Sequence, residues 1–236
     1  MARFKKGETG NAQGRPKKVI AGQTLDLAYS ASQHVPDIPI EKKEGSINFQ
    51  IGDWQPFGSD NLFPNAVAEL TRKSPSHRGI INWKTIYTSG KGFISEDEKL
   101  NSYISAVNPS ESLKKITRKL IFDRLMSGNS YLELVKGNGF LNLFHKDSTT
   151  CRVSKDGTKI KLFGNWKEAD TNQSKIKTIP LYPEFAMVDG QLRSIYHFKS
   201  YEPEYRFYGV PDWIAGMDAA GIAYKTNKWN LSRLDN

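Results

Sequence analysis

"LMSGNSYLELVKGNGFLNLFH", residues 125–145, is the stretch in which the chain changes period. It overlaps a longer segment, "SESLKKITRKLIFDRLMSGN" (residues 110–129), with a capping serine and with Leu113, Ile116, Leu120 and Leu125 at helical spacing. That helix stops at Gly128-Asn129, two residues at ease in left-handed backbone. Directly afterwards "SYLELV" and "FLNLFH" alternate apolar and polar positions around Gly137-Asn138-Gly139. Period two flanking tight-turn residues predicts a β-hairpin. A helix that hands over to a hairpin within a few residues makes the class α+β.

Toward the C-terminus the alternation continues. "CRVS" and "KIKLFG" flank Asp156-Gly157, and "EFAMV" and "LRSIYHFK" flank Asp189-Gly190. Three successive hairpins predict an antiparallel sheet. "YRFYGVPDWIAGMDAAGIA" (residues 205–223) then sets aromatic residues before a Gly-Val-Pro corner, with Pro211 expected in the first turn of a long helix. Ile214, Met217, Gly221, Tyr224 and Leu231 keep one face of that helix apolar through about five turns. Gly216 and Gly221 weaken a helix but permit close approach by a neighbour. Two uses are open for Tyr201, Tyr205, Arg206, Phe207 and Tyr208: stacking on nucleic-acid bases, or pinning a strand end onto the helix, which is the commoner one.

Toward the N-terminus, "SDNLFPNAVAELTRKSPSHRGIINWKTIYTSGKGF" (residues 59–93) predicts two helices, with Pro64 and Pro75 in first turns and Ser74 as cap of the second. In the second, Ile80, Trp83, Lys84 and Tyr87 form one stripe ending at Gly90, and Ile80, Trp83 and Tyr87 are expected to pack inward. The opening "MARFKKGETGNAQGRPKK" has almost no apolar periodicity. Arg3, Lys5, Lys6, Arg15, Lys17 and Lys18 there oppose only Glu8, so this arm holds more than half of the chain's net charge of +9. The expected layout is a flexible basic arm and linker (residues 1–40), a folded α+β part (41–210) and the start of a long helix (211–236).

At 236 residues, with 38% hydrophobic residues, the chain can bury a core. Cys151 is its only cysteine, which excludes an internal disulfide, and no apolar run approaches the ~20 residues of a membrane span. The start lacks the apolar stretch of a secretory signal, so assembly in a cytosol is expected. Catalytic chemistry finds little support. Around Gly90-Lys91-Gly92, Thr85 stands where a phosphate-binding loop needs its first glycine, and Gly92 where it needs Ser or Thr. His145, Cys151 and His197 lack the short paired spacing of a metal site, and Cys151 has no local nucleophile context. Glu96, Asp97 and Glu98 read as a solvated loop. No enzyme activity, cofactor or metal is expected.

The order of the pieces resembles the portal proteins of tailed bacteriophages, over about Phe63 to Asn236. Three segments carry the resemblance: Gly128-Asn129-Ser130-Tyr131-Leu132-Glu133; Leu143-Phe144-His145 leading to Cys151-Arg152-Val153; and Ile195-Tyr196-His197-Phe198 followed by Tyr208-Gly209-Val210-Pro211. Portal chains are generally much longer, with clip, further stem and crown segments, so the sequence resembles the amino-terminal, mostly wing, part of one. The arm separately resembles a Gly-Asn-x-x-Gly-Arg-Pro motif of various phage proteins, here Gly10 to Pro16.

The resemblance implies a ring, usually a dodecamer, at one capsid vertex of a virion assembled in the host cytoplasm. Double-stranded DNA passes through it, and its partners are the major capsid protein, terminase and head-tail connector or adaptor proteins, with no membrane. Walls past which DNA slides need charge without base readout. A closed head-to-tail ring needs large repeated contacts, for which Ile214, Met217, Gly221 and Tyr224 are the candidates. The six arm cations are candidates for nucleic-acid or capsid contact. The alternative is a small phage nucleic-acid-binding or packaging accessory protein that uses its basic arm.

Overall fold

The computed structural model describes residues 52–137 and 139–234. The six arm cations therefore lie outside the described residues. The fold is α+β, with helices first, antiparallel sheets next and a long helix last.

α1 (Phe63–Lys73) carries Pro64 in its first turn, and α2 (Pro75–Ser89) opens on Pro75, where a missing N–H breaks no helical bond. Ser74 holds the cap position of α2, but its side chain makes no capping bond. α3 (Glu98–Ser105) was not expected. Asp97 accepts from the backbone N–H groups of Lys99 (2.8 Å) and Leu100 (3.4 Å), turning the expected acidic loop into a helix start. α4 (Leu113–Ser127) is capped by Ser112 and ends at left-handed Gly128, φ 77°.

All three hairpins form, divided between two sheets. β1 (Asn129–Lys136), β2 (Leu141–Lys146), β6 (Ala186–Val188) and β7 (Gln191–Lys199) make a four-stranded sheet in the order β2-β1-β7-β6. β3 (Cys151–Val153) and β4 (Lys159–Leu162) leave it and recruit β5 (Lys177–Pro180), a short strand that the alternation did not reveal, into a three-stranded sheet. β1 is central, with Glu133 opposite both Phe144 and Ile195. α4 packs on α2, α1 and the β1–β2 hairpin. The core gathers Val67, Ile116, Met126, Tyr131, Val135, Ile160, Ile179 and Ile195.

Two expectations about helices are corrected. In α2 the buried residues are Ile81 and Thr85, whereas Ile80, Trp83 and Tyr87 are 57%, 64% and 77% exposed. A stripe of apolar residues gives the phase of a helix but not which side meets the core. At the other end, Pro211 lies in the corner ahead of a 3₁₀ turn (Ile214–Gly216), and α5 starts only at Met217 and runs to Leu234. Its first turns pack against α1 and α2 with Met217 and Gly221 buried, and residues 226–234, Leu231 included, are all exposed.

Candidate assembly interfaces and the lock that orients them

The end of α4 and the corner after β7 touch backbone to backbone. A Cβ on Gly209 would lie 2.5 Å from the Gly128 carbonyl oxygen and from the Ser200 nitrogen, and one on Gly128 would lie 2.5 Å from the Val210 carbonyl carbon. Only glycines fit this crossing. Asn129 stitches it: its Nδ2 donates to the Ser127 (2.9 Å) and Gly209 (2.7 Å) carbonyls, and its Oδ1 accepts from the Gly209 N–H (2.8 Å). His197 Nε2 lies 3.0 Å from the same Oδ1, and because that oxygen can only accept, Nε2 carries the proton. Burial, with the nearby Lys199 charge behind it, pushes the His197 pKa down to about 3, so the ring is neutral at pH 7 and stacks on Tyr131.

The corner reaches the second sheet as well. Tyr208 stacks on Phe57 at 4.1 Å, donates its hydroxyl proton to the Gln55 carbonyl (2.5 Å) and accepts from the Val153 N–H (3.0 Å). Gln55 N–H in turn donates to the Val153 carbonyl, which closes the free side of β3. Trp213 Nε1 donates to the Leu125 and Met126 carbonyls near the end of α4, and its ring packs on His77 of α2. Phe207 and Tyr208 are buried, so the corner aromatics pin a strand end as the commoner reading had it, and Tyr201 alone stands clear at 87% exposure.

Two buried charges brace the same region. Glu133 on β1 pairs with Lys146 of β2 (2.8 Å) and Arg193 of β7 (2.9 Å), binding three strands through one carboxylate. Arg152 is fully buried and donates to the Asn61 Oδ1 and backbone oxygen and to the Cys151 and Thr149 carbonyls, with Trp166 against its guanidinium. Sequence reasoning passed over both. A charged residue in the inward phase of an alternating strand, between Tyr131 and Val135, was the available signal for Glu133.

The chain shares its fold with proteins of gene transfer agent particles. It superposes on a chain of the virion of the native particle with a TM-score of 0.56 and 17% identity, covering 90% of this chain and 51% of that one. A chain in the neck of the native particle, computed with C12 symmetry, gives 0.55 and 16% over 90% and 51%. One in the neck of the empty particle, computed with C6 symmetry, gives 0.51 and 16% over 88% and 50%. The chain thus spans about half the length of these solved chains. No protein-family model and no curated protein matches the sequence.

The three segments that carry the portal resemblance meet at this lock: Asn129 and Gly209 bond directly, and Val153 bonds to Tyr208. The residues weighed as metal ligands have separate partners instead. His145 pairs with Asp123 (2.9 Å), Cys151 Sγ donates to the Asp147 carbonyl, and His197 holds Asn129. Of the four expected packing residues, Met217 and Gly221 are buried, Ile214 is half-buried in the 3₁₀ turn, and Tyr224 carries Lys73 over its ring. Among the described residues no helix is long and apolar enough to cross a membrane.

Among the described residues a cleft of about 400 Å³ lies between Tyr182, Tyr196, His197, Lys199 and Phe207, and Asp156, which also lines it, is committed to Ser154 and Thr158. The larger open features are the outer side of α2 and the far half of α5.

Proposed function

We propose that the chain is a structural protein of a phage-like virion, acting at the head-tail neck as the wing-containing part of a portal. In this reading copies form a ring at the capsid vertex, DNA passes through during packaging and ejection, and terminase and head-tail connectors dock on the ring. The protein performs no covalent chemistry. What supports the reading most is that its three portal-like segments, far apart in sequence, converge on one lock within a fold shared with gene transfer agent neck and virion chains. The lock joins α4, both sheets and the entry to α5. A long helix held rigidly at its base and bare beyond is what a stem-forming subunit requires.

Electron microscopy of the protein expressed from its full gene is the test. Rings with a central hole wide enough for duplex DNA are expected. Compact monomers or dimers would reject the portal and favour the accessory binder, in which removal of Met1 to Lys18 abolishes DNA binding.

A further inference from the structure

α2 has two faces, and its large residues are on the wrong one for a monomer. Its inner side meets the core through Ile81 and Thr85, both buried, while Arg78 lies over the Phe122 ring of α4 and Ser89 accepts from Arg118. Its outer side, half a turn away, carries Ile80, Trp83, Ile86 and Tyr87, between 57% and 77% exposed, with Trp83 and Tyr87 stacked at 5.3 Å. Stacking two bare aromatic rings prebuilds a contact surface at low cost in side-chain entropy. A helix apolar on both sides is normally buried on both.

We propose that the outer face of α2 is one half of a contact between copies of this chain, seated against the outer face of α5 on the neighbouring copy. The inference rests on the ring reading above, and three observations choose a second copy as the occupant. The first is area. Four side chains exposed to this degree present on the order of 500 Å² of apolar surface, the apolar share of a specific interface of about 800 Å² per partner. The second is shape. A closed ring joins two different faces of each subunit, and α5 offers the counterpart: opposite its buried Met217 and Gly221 it exposes Ala219 and Ile222, a lane that Ala215 of the preceding 3₁₀ turn continues and into which large residues fit. The third is charge. Lys84 flanks the α2 stripe and Asp212 and Asp218 flank the α5 lane, all exposed and without an ion pair among the described residues. Unlike charges on unlike faces set the polarity of a head-to-tail contact.

The protein from its full gene is assayed for rings by electron microscopy and for mass by light scattering. Trp83→Glu and Tyr87→Glu, at exposed positions, should leave the circular dichroism melt unchanged and lower the ring fraction at least tenfold, whereas Tyr201→Glu, elsewhere on the surface, should leave rings intact. Cys151 is buried, and each cysteine change made alone is the control for any other thiol. Trp83→Cys combined with Ala219→Cys or Ile222→Cys should give a ladder of disulfide-linked oligomers on oxidation, and either change alone should give none. Rings that persist in Trp83→Glu overturn the inference while the ring reading stands, and they assign the face to another virion protein. A ladder from Trp83→Cys alone, or none from either combination, overturns the α2–α5 pairing. No rings from the unaltered protein rejects the ring reading and this inference with it.

Discussion

Asn129 has two amide protons and two acceptor lone pairs, and all four are engaged, by the Ser127 and Gly209 carbonyls, the Gly209 N–H and His197. Nothing at this site is free to relax, so small changes carry large penalties. Gly209→Ala drives a methyl into the Gly128 and Ser200 backbones and is expected to cost about 3 kcal/mol or more, read from urea melts. Gly164→Ala, with open space at the same atom, should move the midpoint by less than about 0.5 kcal/mol. His197 adds a pH signature. Its pKa is about 3 folded against 6.5 ordinarily, so below pH 6.5 the unfolded chain takes up a proton that the folded one refuses. Stability present above pH 6.5 is therefore lost as the pH falls toward 3, by at most about 1.4 kcal/mol per pH unit, and water in the adjoining cleft trims that ceiling. His197→Gln, which keeps a donor, should flatten this part of the profile, and an unchanged slope would show that another group sets it.

At the scale of elements, what could be read from the sequence was whatever neighbours in sequence decide. The hairpins declared themselves through Gly137-Asn138-Gly139, Asp156-Gly157 and Asp189-Gly190, and α4 through its serine cap and Gly128, because turns and caps are local. The division into two sheets was hidden, since pairing β1 with β7 rather than extending the β3–β4 hairpin depends on contacts some 60 to 70 positions apart. β5 was hidden because "KTIP" is four residues closed by a proline, and α3 because "SEDEK" looks like a loop until Asp97 is recognised as a cap. The inversion of α2 is of another kind: periodicity fixed the stripe, and only the packing on α4 fixed its direction. Ile81→Ala is expected to destabilise the unassembled protein by about 2–4 kcal/mol. Ile80→Ala, one position earlier, should stay within about 0.5 kcal/mol. Equal losses at both sites by chemical denaturation would return the outer face to the core.

Across the whole molecule, the candidate lock was legible as three separate motifs and illegible as one site, since no local pattern brings Asn129 to Gly209. The two sheets share that site, and this predicts how the chain unfolds. Cys151 is fully buried on β3, and burial pushes its thiol pKa well up. Labelling with a thiol reagent at pH 8 should be at least about 100-fold slower than for a free cysteine and should rise in urea at the same midpoint as the circular dichroism. Labelling that runs ahead of the dichroism would mean that the three-stranded sheet opens alone. The separation of the lock's halves also has a consequence during synthesis. Asn129 and Gly209 stand 80 positions apart, and at about 5–20 residues per second a ribosome takes roughly 4–16 s between them. For most of that interval β1 has α4 and β2 against it but lacks β7 on its other edge and the corner across its base. An open strand edge that waits seconds for its partner is a surface that holding chaperones bind, so a chain arrested before β7 is expected to retain them longer than one arrested after Gly209.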